Sequence, residues 1–262
     1  MRNPNQCGSL PGLSTYDAVL TLFNDVKTLQ RPRLKVSSLF LDIKAGFDNI
    51  DNSTLARILR EGGIPRYLVS WVSSFHGERS CTLVFQGAPG TPAPFNVGAP
   101  QGPPISPVLF LLYVSPLHFT VPRCLTISYV DDFALTAAFP SYWGNIRHLQ
   151  RLFEKLEAKA LRIGVSFSVA KTELIHWRTP SQRNSPRCLS AIQIEGELFR
   201  PRDSLMWLGY WFTPALDSSA HFSRRLALAQ GAFALIRLLS PPRAGLAPYL
   251  CHRLATSLVA PI

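Results

Sequence analysis

The amino-acid sequence predicts an α+β fold, in which helices and strands are mixed along one chain. Several segments repeat apolar residues every three to four positions, as amphipathic helices do, and other short apolar runs between turn residues are typical of strands. Two of these runs flank a tight acidic turn and suggest a hairpin. With 262 residues, of which 47% are hydrophobic, the chain is long enough for one large domain or two lobes.

The first part of the chain predicts helices on both sides of one strand. Residues 14–29 have helical spacing, with Ser14 as the N-cap. Residues 35–43 predict a strand. Residues 52–65 predict a second helix, which a glycine pair and a proline should stop, and another amphipathic segment follows at about 66–75.

A proline-rich stretch comes next. Residues 86–122 contain nine prolines and should be mostly irregular. Within them, Ser106 can cap a helix and Pro107 suits its first turn, so we expect a buried apolar helix that runs until Pro116.

The second half of the chain repeats the alternation of strands and helices. A strong amphipathic helix is predicted at 145–164, a polar connector at 180–202, and basic helical sequence from Ser219 onward. The predicted strands lie at 126–130, 133–139, 172–177 and within 205–212.

The charge balance favours a polyanionic partner. There are 27 Lys and Arg residues against 16 Asp and Glu residues, which gives a net charge of +11. Nucleic acid is the first candidate and an anionic membrane surface the second, while a basic protein without such a partner is the plain alternative.

Cysteine spacing and hydropathy indicate an intracellular protein. The five cysteines are scattered, with no CxxC pair and no even framework, so we expect them to be reduced. The longest apolar run has seven residues, far fewer than the ~20 needed to span a bilayer. We therefore expect no membrane segment and no signal peptide.

The acidic pair Asp131–Asp132 stands in an apolar stretch that contains few other charges. Adjacent strand residues point to opposite faces, but at a tight hairpin tip both carboxylates can reach one open edge. Their repulsion favours a divalent cation, and oxygen ligands of this kind suit Mg²⁺ or Mn²⁺. An ordinary Asp-rich turn is the alternative.

A third acid is expected at the same edge. Asp42 ends the apolar strand and should turn outward, facing Asp131 if the strand lies beside the hairpin. Asp48 and Asp51 are alternatives in the same segment, which we interpret instead as acids at the start of a helix.

Six segments, in order, resemble reverse transcriptases of non-LTR (LINE-type) retrotransposons. They are NQCGSLPGLSTYDAV, LDIKAGFDNI, GAPQGPPISPVLF, YVDDFAL, GVSFSVAKTELI and MWLGYWF. The resemblance implies a right-hand polymerase whose palm is an antiparallel sheet backed by helices. It assigns residues 1–34 to partial fingers, 35–218 to the palm and inserted fingers, and 219–262 to the start of a truncated helical thumb. It also implies a fragment, a decayed element or a partial gene product, because the family's preceding basic segment and an endonuclease domain are missing.

The resemblance also implies a catalytic metal centre. Asp42, Asp131 and Asp132 would hold two Mg²⁺ ions, or Mn²⁺, with help from the backbone carbonyl of Ile43. Lys171 matches the lysine proposed to protonate pyrophosphate, although an ordinary solvated lysine is the alternative.

Further residues would hold the substrates. Phe47 matches the steric gate that excludes a ribose 2′-hydroxyl, with a plain core residue as the alternative. Gln101 and Gly102 would lie against the nascent base pair, unless they form only a structural loop. The other matches are to the primer and template, with a solvated face as the alternative for the two arginines: Leu208, Gly209, Arg224 and Arg225.

The implied function is RNA-directed DNA polymerisation by a nucleotidyltransferase. The expected partners are an RNA template, a DNA primer and deoxynucleoside triphosphates, and an active parent element would be nuclear. The alternative is a catalytically silent remnant that only binds nucleic acid. An RNA-dependent RNA polymerase is less consistent with Phe47 and Val130, because those enzymes usually carry a polar gate and a glycine at these positions.

Overall fold

A computed structural model describes residues 5–44, 46–77, 79–95, 97–100, 102–121, 126–179, 182, 188–240 and 245–259. Within these ranges the helices are α1 (Thr15–Leu29), α2 (Asn52–Glu61), α3 (Arg66–His76), α4 (Ser106–His118), α5 (Tyr142–Arg162), α6 (Ser219–Leu239) and α7 (Pro248–Leu254). The strands of the main sheet are β1 (Lys35–Lys44), β6 (Thr126–Tyr129), β7 (Asp132–Phe139), β8 (Ser166–Phe167) and β9 (Glu173–Trp177). Four small hairpin pairs use β2 (Ser80–Cys81), β3 (Val84–Phe85), β4 (Ala88–Pro89), β5 (Ala93–Pro94), β10 (Ile192–Ile194), β11 (Glu197–Phe199), β12 (Leu205–Trp207) and β13 (Tyr210–Phe212).

The main sheet is built around β1, and all its pairings are antiparallel. β7 pairs along one side of β1, while β9 and then β8 pair along the other. β6 completes a hairpin with β7 at the outer edge. The predicted strand 35–43 is therefore the central strand, which explains its nearly continuous burial.

Alternate residues of β1 serve two separate cores on the two faces of the sheet. Leu39 and Leu41 join a large cluster formed with α2, α3, α4 and α5. Phe40 joins a second cluster formed with α1 and the β12–β13 hairpin. Helices thus cover both faces, with the larger core on the α5 side.

Local capping fixes two of the predicted helix starts. Ser14 and Asp17 form a reciprocal capping box at the start of α1. Asp51 caps α2, because its Oδ2 accepts a hydrogen bond of 2.7 Å from the backbone N–H of Thr54. The interpretation of Asp51 as an acid at a helix start is confirmed.

The proline-rich segment differs from its prediction. α4 does not stop at Pro116 but continues to His118, because the last turn buries Leu117 and His118. Ser106 is not its cap, since Ile105 is the N-cap and the Ser106 hydroxyl donates to the carbonyl of Pro100. Packing of the final turn outweighs the hydrogen bond that a proline removes.

Among the described residues of the predicted connector at 180–202, β10 and β11 form a hairpin that turns at Glu195 and Gly196, both with positive φ angles. Ile192 and Ile194 bury one face of this hairpin against α5. Among the helices that the structure describes, none has both the length and the apolar character to cross a membrane.

Candidate active site

The acidic pair lies at the tip of the β6–β7 hairpin. Tyr129 pairs with Asp132, which leaves Val130 and Asp131 as the turn. In the β1–β7 register, Asp42 lies directly opposite Asp132 rather than Asp131. Directly opposed residues of an antiparallel pair project to the same face, so Asp42 and Asp132 share one side of the sheet. Asp131 reaches the same edge from the turn, because β6 has ended at Tyr129 and β7 begins only at Asp132.

Backbone hydrogen bonds fix the three acids relative to one another. The N–H of Ile43 donates to the carbonyl of Asp131 at 3.2 Å, which joins the end of β1 to the hairpin tip. On the other side, the N–H of Ser168 donates to the carbonyl of Asp42 at 2.7 Å. The Ile43 side chain is buried in the larger core, so its backbone is held at the carboxylate edge.

The carboxylates at this edge interact electrostatically. Burial first, and then the charges of Asp131 and Asp42, raise the pKa of Asp132 to about 7. The pKa of Asp131 is also raised, chiefly by burial, with Asp42 adding to the effect and Lys171 opposing it. Burial and mutual repulsion therefore disfavour full ionisation of Asp131 and Asp132.

Lys171 contributes a positive charge to this cluster. Its Nζ donates to Oδ2 of Asp42 at 2.9 Å, in an ion pair that joins a side chain 66% exposed to one 17% exposed. The hydrogen bond to Asp42 raises the pKa of Lys171. The 3₁₀ turn Val169–Lys171, between β8 and β9, aims this long side chain back at β1.

The donor set fits a divalent cation by its chemistry. Three carboxylates meet at one edge, and burial first, followed by repulsion between the carboxylates, raises the pKa of Asp131 and Asp132. Among the described residues, however, no group of three or more acidic, histidine or cysteine side chains is arranged so that it could already coordinate a metal ion. Part of the space is taken by the ammonium group of Lys171.

A cleft of about 270 Å³ opens beside the carboxylates. It brings Asp42, Asp132 and Lys171 together with the β12 strand, through Met206 and Trp207. Sequence reasoning did not single out the last two residues, because a strand of alternating exposure is a signal of structure rather than of a site. The cleft connects the acidic edge to the hairpin that carries Leu208 and Gly209.

The β12–β13 hairpin turns at Leu208 and Gly209, with φ angles of 51° and 78°. Two consecutive positive φ values are the signature of a type I′ turn, in which glycine is favourable and leucine is strained. The arginines of α6 brace this hairpin: Arg225 donates to the carbonyl of Gly209 at 3.3 Å, and Arg224 stacks 3.5 Å from the ring of Trp211. Both arginines therefore have protein contacts in this structure.

Two further predicted residues, Phe47 and Gly102, lie outside the strands and helices. The ring of Phe47 follows β1 and stacks on Phe110, with ring centroids 4.6 Å apart. Gly102 has a φ of +119°, and a Cβ there would meet no atom within 4 Å. Gln101 lies outside the described residues.

The N-terminal segment supports the hairpin tip, a role that sequence reasoning missed. Gln6, only 4% exposed, accepts hydrogen bonds at Oε1 from the N–H groups of Gly8 and Val130. Backbone bonds also join Cys7 to Ser128 at 2.9 Å. A Cβ on Gly8 would lie 2.5 Å from Cγ2 of Val130 and 2.7 Å from its backbone nitrogen. The close approach therefore requires glycine at position 8. The Gln-x-Gly motif was the sequence signal that could have indicated this role.

Comparison with protein families gives one match that covers most of the chain. The family described as "Reverse transcriptase (RNA-dependent DNA polymerase)" matches residues 2–212. This range includes both strands of the acidic hairpin, Lys171 and the β12–β13 hairpin.

Two curated proteins are similar in sequence. The "Transposon TX1 uncharacterized 149 kDa protein" of Xenopus laevis is 21% identical over 68% of the chain, and the "RNA-directed DNA polymerase from mobile element jockey" of Drosophila melanogaster is 26% identical over 74% of it. The chain spans only 14% and 21% of the lengths of these two relatives. Both names refer to mobile elements, in agreement with the retrotransposon type predicted from the motifs.

Solved structures of Candida tropicalis telomerase are similar in fold. A complex with a fragment of telomeric RNA matches 93% of this chain and 40% of the telomerase chain, with a TM-score of 0.52 at 13% identity. An apo form truncated from its C-terminal domain matches 77% of this chain and 38% of the telomerase chain, with a TM-score of 0.51 at 16% identity. The likeness confirms the predicted α+β fold of the right-hand polymerase type.

Proposed function

Since the chain belongs to the reverse transcriptase family, we propose that it is an RNA-directed DNA polymerase domain. In this proposal it adds deoxynucleotides to the 3′-hydroxyl of a DNA primer paired with an RNA template. The observation that carries the proposal is the acidic edge itself, where Asp42 opposes Asp132 beside the turn residue Asp131. The basic charge of the chain suits a nucleic-acid substrate.

Asp42, Asp131 and Asp132 are the proposed ligands of two Mg²⁺ ions, with the carbonyl of Ile43 as a further oxygen donor. Bound Mg²⁺ would supply charge stabilisation for in-line displacement at the α-phosphate of the nucleotide. The raised pKa values of Asp131 and Asp132 support this assignment, because both groups gain from nearby positive charge. The protein's own contribution is to hold three carboxylates at one rigid sheet edge.

Lys171 is the proposed proton donor to the leaving pyrophosphate. Its Nζ lies at the carboxylate edge and stays protonated, since Asp42 raises its pKa. The side chain is long and mostly exposed, so it can move from Asp42 to a phosphate oxygen. Its ion pair with Asp42 keeps the ammonium group within reach of the site.

The substrate contacts complete the proposal. Phe47 would exclude a 2′-hydroxyl, Gln101 and Gly102 would lie against the new base pair, and the Leu208–Gly209 turn would position the primer end. Arg224 and Arg225 would contact backbone phosphates from a thumb at 219–262, next to fingers and palm at 1–218. Contacts of these two arginines with the β12–β13 hairpin support a coupling between primer position and α6.

The test is primer extension on an RNA template with Mg²⁺, comparing the wild-type chain with Asp42→Asn and Asp131→Asn. We expect both variants to lose extension. Asp48→Asn is the matched control, because Asp48 lies six residues from Asp42 in the same segment but on an exposed turn. Equal extension by the wild type and Asp131→Asn would refute the metal-ligand assignment. A wild-type chain that binds template–primer without extending it would establish the silent remnant instead.

A further inference from the structure

The outer face of α5 carries a continuous basic stripe. Its positively charged side chains recur at intervals of three or four residues and therefore project from one side of the helix. They are Arg147, Arg151, Lys155, Lys159 and Arg162. From the first to the last, the stripe extends about 22 Å along the helix axis. Among the described residues, none of the five forms an ion pair with an acidic side chain.

The stripe ends at an exposed aromatic residue. Trp143, 61% exposed, lies one turn before Arg147, whose guanidinium carbon is 3.6 Å from the centroid of its ring. This geometry is a stacking platform: a planar cation and an indole, both open to solvent. Base–aromatic stacking next to phosphate-binding cations is the usual design of surfaces that bind single-stranded nucleic acid.

Acidic side chains of α5 lie to one side of the stripe. Glu157 projects toward the β10–β11 hairpin, where burial first, and then its interactions with Glu195 and Glu154, raise its pKa. Burial and the charges of Arg151 and Lys155 lower the pKa of His148, which places this ring beside the basic side chains. The basic side chains therefore share one side of the exposed helix surface, and Glu157 lies at its border with the β10–β11 hairpin.

The stripe faces away from the candidate active site. Leu41 and Ile43 point toward α5 and pack in the larger core. Phe40 and Asp42 alternate with them and line the cleft beside β12 on the opposite side of the sheet. The cleft and the basic stripe therefore lie on opposite sides of the sheet.

We propose that the outer face of α5 is a second nucleic-acid site, which binds the phosphate backbone of a single strand along the basic stripe while a base stacks on Trp143. The site is separate from the polymerisation cleft and does not depend on catalysis. It would hold a strand outside the cleft, such as a distant part of a bound RNA, against the back of the palm.

The test measures binding of a labelled 20-nucleotide oligouridine RNA by fluorescence anisotropy, with the full chain first saturated with unlabelled hairpin primer–template. The test variant is Arg147→Gln/Arg151→Gln. Each phosphate contact contributes about 0.7 to the slope of log affinity against log salt for single strands, so we expect the slope to fall by about 1.4 and the affinity at 0.1 M salt to fall roughly 25-fold. Trp143→Ala should weaken binding without changing the slope.

The matched control is Arg57→Gln/Arg60→Gln, which removes the same two charges from the exposed face of α2. It should bind the RNA like the wild type. An equal loss in both double variants would show that only net charge matters, and would overturn the proposal, as would unchanged binding by the α5 variant. Equal affinity for a polyglutamate peptide, with the same loss in the α5 variant, would assign the stripe to an acidic protein instead. Because the measurement requires no extension, a catalytically silent chain gives the same answer.

Discussion

Replacing Gly8 with alanine tests the support of the acidic hairpin tip. The new Cβ would lie 2.7 Å from the backbone nitrogen of Val130, whereas ordinary contacts begin at 3.4 Å, so the tip or the N-terminal segment must move by about 0.7 Å. Overpacking of this kind costs about 1–3 kcal/mol of unfolding free energy. Since misplacement of catalytic groups by about 1 Å can lower a rate 100-fold, we expect a larger loss of primer extension than of stability.

The measurement pairs urea denaturation with primer extension at a temperature where the variant remains folded. Gly231→Ala is the control, because a Cβ at this helical position meets nothing within 4 Å, and helix propensity should stabilise it by up to about 1 kcal/mol. Adding Val130→Ala to Gly8→Ala removes the 2.5 Å contact with Cγ2 but not the one with the backbone, so rescue should be partial. A Gly8→Ala chain with full stability and full activity would refute the idea that the N-terminal segment positions the tip.

Three further changes test other parts of the site and core. Lys171→Met should lower extension by about 10²–10⁴-fold through loss of a general acid. It should change the unfolding free energy by less than about 1 kcal/mol, because the lysine side chain is mostly exposed. Unchanged extension would contradict the proton-donor role. Phe47→Val should increase ribonucleotide incorporation in a competition assay, whereas a destabilised chain with unaltered sugar selection would leave Phe47 as core. His118, buried and stacked on Phe133, has its pKa lowered to about 4 by burial. The unfolded chain therefore binds a proton that the folded chain does not between pH 6.5 and 4, so stability should fall by about 3 kcal/mol as pH falls through this window. Urea midpoints of His118→Phe should show a shallower fall over the same range.

The sequence predicted most of the main sheet, because its strands have strong local patterns. The apolar run of β1 and the paired runs around Asp131 and Asp132 both became strands of this sheet. The amphipathic pattern of α5 likewise predicted a long helix at 145–164. In the structure this helix begins earlier, at Tyr142, and ends at Arg162. These elements have patterns that packing reinforces rather than overrides.

What the sequence could not predict depends on long-range geometry. The register that opposes Asp42 to Asp132 depends on which residues form the turn, and the positive φ of Val130 is unusual for a β-branched residue. The continuation of α4 through Pro116 depends on burial of its last turn, which local rules do not describe. The β10–β11 hairpin is only three residues deep on each strand, and a pattern of that length is too short to separate from a polar connector.

The hairpin tip combines two features that are each unfavourable alone, and together they explain why the N-terminal segment packs there. Val130 has a φ of 59°, and the acids that follow it have raised pKa values. Strained backbone persists only where its surroundings over-determine it. Here Gln6 holds the N–H of Val130 from one side, while Ile43 holds the carbonyl of Asp131 from the other. The Gln-x-Gly segment lies more than 100 residues from the acidic pair in sequence but contacts the hairpin tip that carries it. We infer that these contacts hold the carboxylates at the sheet edge against their mutual repulsion.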